Sequence, residues 1–166
     1  APAIGVGAAL GLYACALRFE DNTTEGFAYS FKKTAEIVRS SRPTARNLFD
    51  AVDRMQNAVN RADGTTVEIM LGELKAEAQS IFDEDIAMCR CIGEYGAELL
   101  KDGSTVLTHC NAGSLCAVEY GTALSPIYVA AEQGKRVKVY ADETRPLLQG
   151  ARLTAFELSE AGIDTT

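Results

Sequence analysis

Hydrophobic positions recur at helical spacing through the first hundred residues and then switch to strand-like alternation. Ala1 to Leu17 is apolar and broken by Gly5, Gly7 and Gly11, which reads as a buried small-residue helix. Thr23, Thr24 and Glu25 precede an apolar series at Phe27, Phe31, Ala35 and Val38, a helix start followed by one helix face. Pro43 must end that helix, since the residue before a proline is driven out of the α region. Thr44 is suited to capping the next one, whose face is Leu48, Val52, Met55 and Val59. Asp63-Gly64 makes a turn. From Thr65 a long pattern continues through Val67, Leu71, Leu74, Ala78, Ile81, Ile86, Ile92 and Leu99, closing at Lys101-Asp102-Gly103.

Beyond Gly103 the period changes. Val106 and Leu107 open a short strand, Ala117 to Gln133 reads as an apolar helix interrupted by Pro126, and Val137-Lys138-Val139 restores alternation. Leu147 to Ala161 reads as a second helix, and Gly162 to Thr166 as the start of a further strand. Strands starting roughly 30 residues apart in a β-α-β-α order signal parallel pairing through right-handed crossovers. The expected fold class is α/β: a helical amino-terminal domain over residues 1–102, then the first half of a Rossmann-like parallel-sheet domain over 103–166 that continues beyond this chain.

At 166 residues and 47% hydrophobic content the chain has ample material for a core. The formal charge of -7 argues against a general nucleic-acid surface, which needs a basic stripe. No apolar run approaches the roughly 20 residues of a membrane span, and the apolar first segment has no basic leader. Five cysteines, an odd number without zinc-like spacing, point to a reducing, cytoplasmic setting. Cys89 and Cys91 lie two apart on a helix and so face different directions, which leaves no metal site.

Each strand runs into a polar turn, the first at Thr108-His109-Cys110-Asn111-Ala112-Gly113-Ser114 and the second at Asp142-Glu143-Thr144-Arg145-Pro146. In open α/β sheets the carboxyl edge of the strands is where ligands bind, so these turns are candidates for one crevice taking a small anionic molecule. Cys110 precedes an expected helix start, whose amides would favour the thiolate; a free cysteine can equally be a small core residue. His109, the one histidine, is read as packed or hydrogen-bonded, because strand neighbours point to opposite faces and a Cys–His dyad is thereby disfavoured. Asp142 and Glu143 are read as capping a helix that opens at Pro146 and pairing with Arg145. Asn111, Gly113 and Ser114 shape the turn and supply backbone N–H groups. Arg42, in a Ser-Arg-Pro-Thr turn, is either a solvated arginine or a forked phosphate ligand. Cys15, Cys89, Cys91 and Cys116 are read as packing residues. The glycine-containing turn fits neither the P-loop nor the dinucleotide pattern, so no cofactor is expected.

Thr108 through Ser114, Tyr120-Gly121-Thr122-Ala123-Leu124, and Asp142-Glu143-Thr144-Arg145-Pro146 through Gln149-Gly150-Ala151-Arg152-Leu153-Thr154 together resemble the methylthioribose-1-phosphate isomerase family. Ala1-Pro2-Ala3-Ile4-Gly5 and Ser41-Arg42-Pro43-Thr44 resemble two upstream motifs of the same family, so the likeness runs the length of the chain. It implies conversion of 5-methylthioribose 1-phosphate to 5-methylthioribulose 1-phosphate in methionine salvage, with no cofactor, by a homodimer. By resemblance Cys110 is the catalytic cysteine, while Arg42, Gln149 and Ala1 contact substrate. A second acid–base residue, an aspartate, lies past Thr166, so that the missing carboxyl-terminal part, in the same or another chain, is needed for activity. Regulatory subunits of the initiation-factor nucleotide exchange factor share the fold, which keeps a non-catalytic assembly role open. Isomerases of other pentose 1-phosphates also stay open, since nothing in this stretch reads the C5 substituent.

Overall fold

The computed structural model describes residues 2–166. Four helices come first, α1 (Pro2–Ala16), α2 (Thr24–Ser40), α3 (Arg46–Arg61) and α4 (Val67–Glu98). Strand β1 (Thr105–Thr108), helix α5 (Ser125–Glu132), strand β2 (Lys138–Ala141), helix α6 (Ala155–Glu160) and strand β3 (Asp164–Thr165) follow. The chain packs as two compact units divided within α4, Ala1–Glu84 and Asp85–Thr166, while the helical run itself ends at Glu98.

In the first unit the expected faces of α2 and α3 are buried except for the half-buried Val38, while α4 buries Met70 where the sequence pattern has Val67 and Leu71, which are half-buried. Phe27 and Phe31 of α2, Leu48, Val52, Met55 and Val59 of α3, and Met70 and Leu74 of α4 are all at most 2% exposed. Val6, Ala9 and Leu12 of α1 join them. Thr23 caps α2, its hydroxyl accepting from the Gly26 amide at 3.2 Å. Thr44 does not cap α3: Ala45 occupies the capping position, and its side chain has no oxygen to accept the free amides. Across α3 and α4, the Arg54 guanidinium donates to Glu77 at 2.7 Å and to both Glu84 oxygens at 2.5 and 2.8 Å, and Arg61 donates to Glu77 at 2.8 Å.

In the second unit the three strands are parallel in the order β1-β2-β3. Val106 faces Val139, and the next pair, Leu107 and Tyr140, points to the opposite face, as the period of two requires. Val139 is fully buried with Leu124, Ile127, Val129, Ala130 and Leu158, whereas Leu107 is 70% exposed. Two sequence expectations change. Pro126 opens α5 rather than interrupting a longer helix, because Tyr120 (φ 58°) and Gly121 (φ 79°) are both left-handed and stop any helix through 117–124. Leu147 is not helical either. Leu148 is left-handed (φ 60°), and the chain enters a π-helical turn at Gly150–Thr154 before α6 begins.

Hydrogen bonds from Arg54 and Ser80 hold the Glu84 carboxyl down at about 2. A carboxylate lowered from its usual 4.5 stabilises the fold above that value, and the contribution is lost as pH falls toward 2. Arg54→Ala is expected to lower the thermal midpoint by about 2–4 °C at pH 7, corresponding to roughly 1 kcal/mol for a largely exposed network. The gap between the two proteins should narrow as the pH is taken from 5 to 2. A gap of constant size across that range, measured by circular dichroism melts, would remove the electrostatic assignment.

Candidate active site

The carboxyl ends of β1 and β2 are joined by the Asp142 amide, which donates to the Thr108 carbonyl at 3.0 Å and extends the ladder by one residue. Beyond it His109 and Cys110 leave the sheet. His109 is exposed, and its Nδ1 lies 3.1 Å from Asp142 Oδ2. The histidine is therefore the hydrogen-bonded residue expected, but the role given to Asp142 changes. It meets His109 across the sheet edge, and no helix opens at Pro146 for it to cap. The Arg145–Pro146 peptide is cis.

Cys110 is half-buried and has φ 63°, a left-handed conformation that a non-glycine residue adopts at a cost on the order of 1–3 kcal/mol. Its backbone is held from both sides. The Cys110 amide donates to Thr144 Oγ1 at 2.9 Å, and its carbonyl accepts from Thr154 Oγ1 at 2.6 Å. Thr144 is itself left-handed, φ 60°, and its hydroxyl donates back to the Asp142 carbonyl at 3.1 Å. Gly150 is what lets the following turn come so close, since a Cβ there would sit 1.7 Å from that carbonyl oxygen.

The segment after Cys110 does not start a regular helix. Only a single 3-10 turn forms, at Ser114–Cys116, and the chain folds back so that the Ala112 carbonyl accepts from the Thr122 amide at 2.9 Å. The helix-start amides anticipated beside the thiol are consequently absent from this loop. Its polar groups are committed to a buried carboxylate, Glu157 of α6, which is 7% exposed. Glu157 accepts from the Ser114 amide at 2.8 Å, the Ser114 hydroxyl at 2.8 Å, the Tyr128 phenol at 2.9 Å and the Asn111 side-chain amide. Burial and this carboxylate push the Tyr128 phenol well above its usual value. Gly113 leaves the space: a Cβ there would come within 2.2 Å of the carboxylate.

Glu157, Thr144 and Thr154 were not singled out from the sequence. A signal existed for two of them, because Thr154, Glu157 and Leu158, all buried, fall at i, i+3 and i+4, placing a carboxylate on the inward stripe of a short helix. The Gln149 side-chain oxygen, Oε1, is enclosed without a hydrogen-bond partner, an unmet acceptor next to the π-helical turn. Arg42 is exposed in the turn between α2 and α3, where its carbonyl accepts from the Ala45 amide at 3.1 Å, and its side chain enters none of the ion pairs found among the described residues. Ala1 lies outside the described residues. Cys89 is buried, its thiol pushed up to about 11 chiefly by burial, whereas Cys91 is exposed. Among the described residues no three His, Cys, Asp or Glu side chains converge as metal ligands, and no helix is long and apolar enough to cross a membrane.

Comparison with known proteins gives a consistent result. The model of the Initiation factor 2 subunit family matches residues 1–166. The chain is 55% identical to a 5-deoxyribose 1-phosphate isomerase of Moorella thermoacetica, covering all of this chain and 47% of that protein. It is 52% identical to a methylthioribose-1-phosphate isomerase of Parabacteroides distasonis, covering all of this chain and 50% of that protein. The crystal structure of 5-methylthioribose 1-phosphate isomerase from Pyrococcus horikoshii superposes with a TM-score of 0.93 at 42% identity, over 99% of this chain and 46% of that one. A structure described as translation initiation factor eIF-2B, subunit delta, from A. fulgidus superposes with a TM-score of 0.88 at 45% identity, over 99% of this chain and 48% of that one. The chain thus spans about half the length of the curated relatives it matches.

The four donors that converge on Glu157 make its side chain the most demanding in the second unit. Glu157→Ala leaves the Asn111, Ser114 and Tyr128 donors unpaired and is expected to destabilise the protein by about 3 kcal/mol. Urea unfolding followed by fluorescence measures this. A loss below about 1 kcal/mol would mean that water replaces the carboxylate and that the loop does not depend on it.

Proposed function

Because the chain belongs to the Initiation factor 2 subunit family, we propose that the protein it comes from is a sugar-phosphate isomerase that converts 5-methylthioribose 1-phosphate to 5-methylthioribulose 1-phosphate, in the cytoplasm and as a homodimer. The observation that carries this reading is Cys110, a half-buried thiol held in a strained conformation at the carboxyl edge of a parallel sheet. Such strain persists only where the surroundings over-determine it, and it gathers at functional sites. Relatives named as pentose 1-phosphate isomerases, about half identical over the whole chain, support it. An assembly subunit has no need of a strained thiol.

The chemistry sets the requirements. A phosphate on C1 blocks simple opening of the sugar ring to a free aldehyde, so a general acid must protonate the ring oxygen before hydrogen moves from C2 to C1. Two positioned proton-transfer groups suit that sequence. We assign one to Cys110 and the other to an aspartate in the part of the protein past Thr166. Arg42 is assigned to the substrate phosphate, which a guanidinium binds through paired charge-assisted hydrogen bonds. Gln149 is assigned a substrate contact, supported by its enclosed, unpartnered Oε1, which would accept from a sugar hydroxyl. Ala1 is assigned to the substrate loop. A second reading, isomerisation of 5-deoxyribose 1-phosphate, is favoured by the name of the relative from Moorella thermoacetica.

A coupled isomerase assay of the whole protein with both sugars tests these assignments, and turnover of the 5-deoxy sugar alone selects the second reading. Cys110→Ser is expected to lower kcat by about 100-fold or more, the loss of one acid–base group. A serine variant with the wild-type rate would rule the thiol out. Arg42→Ala is expected to raise KM more than it lowers kcat, as loss of a uniform binding contact does. An unchanged KM would remove Arg42 from the phosphate contact.

A further inference from the structure

Two threonines grip the Cys110 peptide from different places in the chain. Thr144 belongs to the loop after β2 and takes the Cys110 amide; Thr154 ends the π-helical turn and gives its hydroxyl proton to the Cys110 carbonyl. Thr154 is fully buried, so its hydroxyl has no water to turn to, and it also accepts from the Asn111 side-chain amide at 3.2 Å. Thr144 is the more unusual of the two. A β-branched residue in the left-handed region is a genuine outlier, and here it stands opposite a second left-handed residue, Cys110, with one hydrogen bond linking the two. Neither loop lies in its intrinsically preferred backbone state, and each side-chain bond opposes relaxation of the residue that carries the thiol.

We propose that Thr144 and Thr154 are positioning residues that clamp the Cys110 peptide and so fix where its thiol is presented. The clamp rests on the isomerase reading only for its catalytic consequence. Its physical content, restraint of the Cys110 loop, stands apart from the substrate. Proton transfer falls steeply when donor and acceptor are misplaced, so a loosened Cys110 lowers turnover while leaving substrate contacts elsewhere in place.

Thr144→Val and Thr154→Val, which keep the branched shape and delete the hydroxyl, test this in the whole protein beside Thr144→Ser and Thr154→Ser, which keep it. Each valine variant is expected to lower kcat about 10-fold with KM within 2-fold, and each serine variant to recover most of the loss. Alkylation of the Cys110 peptide by iodoacetamide, followed by mass spectrometry, reads the restraint without any substrate. It is expected to be about 5-fold faster in Thr144→Val, because the loop opens more often. If Thr154→Val fails to fold, the Thr144 pair carries the test alone. Unchanged alkylation with wild-type kcat in Thr144→Val overturns the clamp and leaves the isomerase reading untouched. Faster alkylation in a protein that turns over neither sugar upholds the clamp and removes that reading.

Discussion

A carboxylate removed from water is the constraint around which the second unit is built. Burying an unpaired ion costs several kcal/mol, and Glu157 meets that cost with donors drawn from the Cys110 loop and from α5. The satisfied arrangement is correspondingly exacting. The chain after Asn111 must bring the Ser114 amide and hydroxyl to within 2.8 Å of one oxygen, and Gly113 must leave the carboxylate its space. These demands explain why the segment after the thiol is a compact fold-back rather than a helix.

The same short stretch of chain controls Cys110 directly. Thr154 lies three residues before Glu157, so the hydroxyl that binds the Cys110 carbonyl and the carboxylate that binds the following loop are carried on one inward face. The π-helical turn at Gly150–Thr154 immediately precedes α6 and separates it from the strained loop containing Thr144. Such turns insert a residue into a helical run and shift the faces on either side of it, and they occur often at functional sites. Here the shift lets Gly150 pack on the end of β2 and Thr154 reach the end of β1.

The distribution of strain follows from this scaffold. Cys110 and Thr144 are left-handed without being glycine, and each lies two residues past the last hydrogen bond of the ladder, which joins Thr108 and Asp142. The strand order β1-β2-β3 places β2 in the centre, buried through Val139, so the Asp142 carbonyl that anchors Thr144 and the Asp142 carboxylate that meets His109 are fixed to the most restrained strand. A rigid sheet edge supports loops that would otherwise relax.

What the sequence determined by itself is the part governed by local periodicity. Helical spacing identified α1 to α4 and most of the faces that α2 and α3 bury, though on α4 the expected positions Ile92 and, past its end, Leu99 are exposed; alternation identified β1 and β2, and the change of period put Cys110 beyond a strand end. The tertiary structure decided everything that depends on partners far apart in the chain. Asn111 meets Glu157 46 residues later and His109 meets Asp142 33 residues later, and no window of local pattern contains both members of either pair. Backbone strain was equally invisible: Thr144, Leu148 and Tyr120 have side chains that disfavour the left-handed region, so only their packed surroundings could place them there and break the helices that their apolar neighbours suggest.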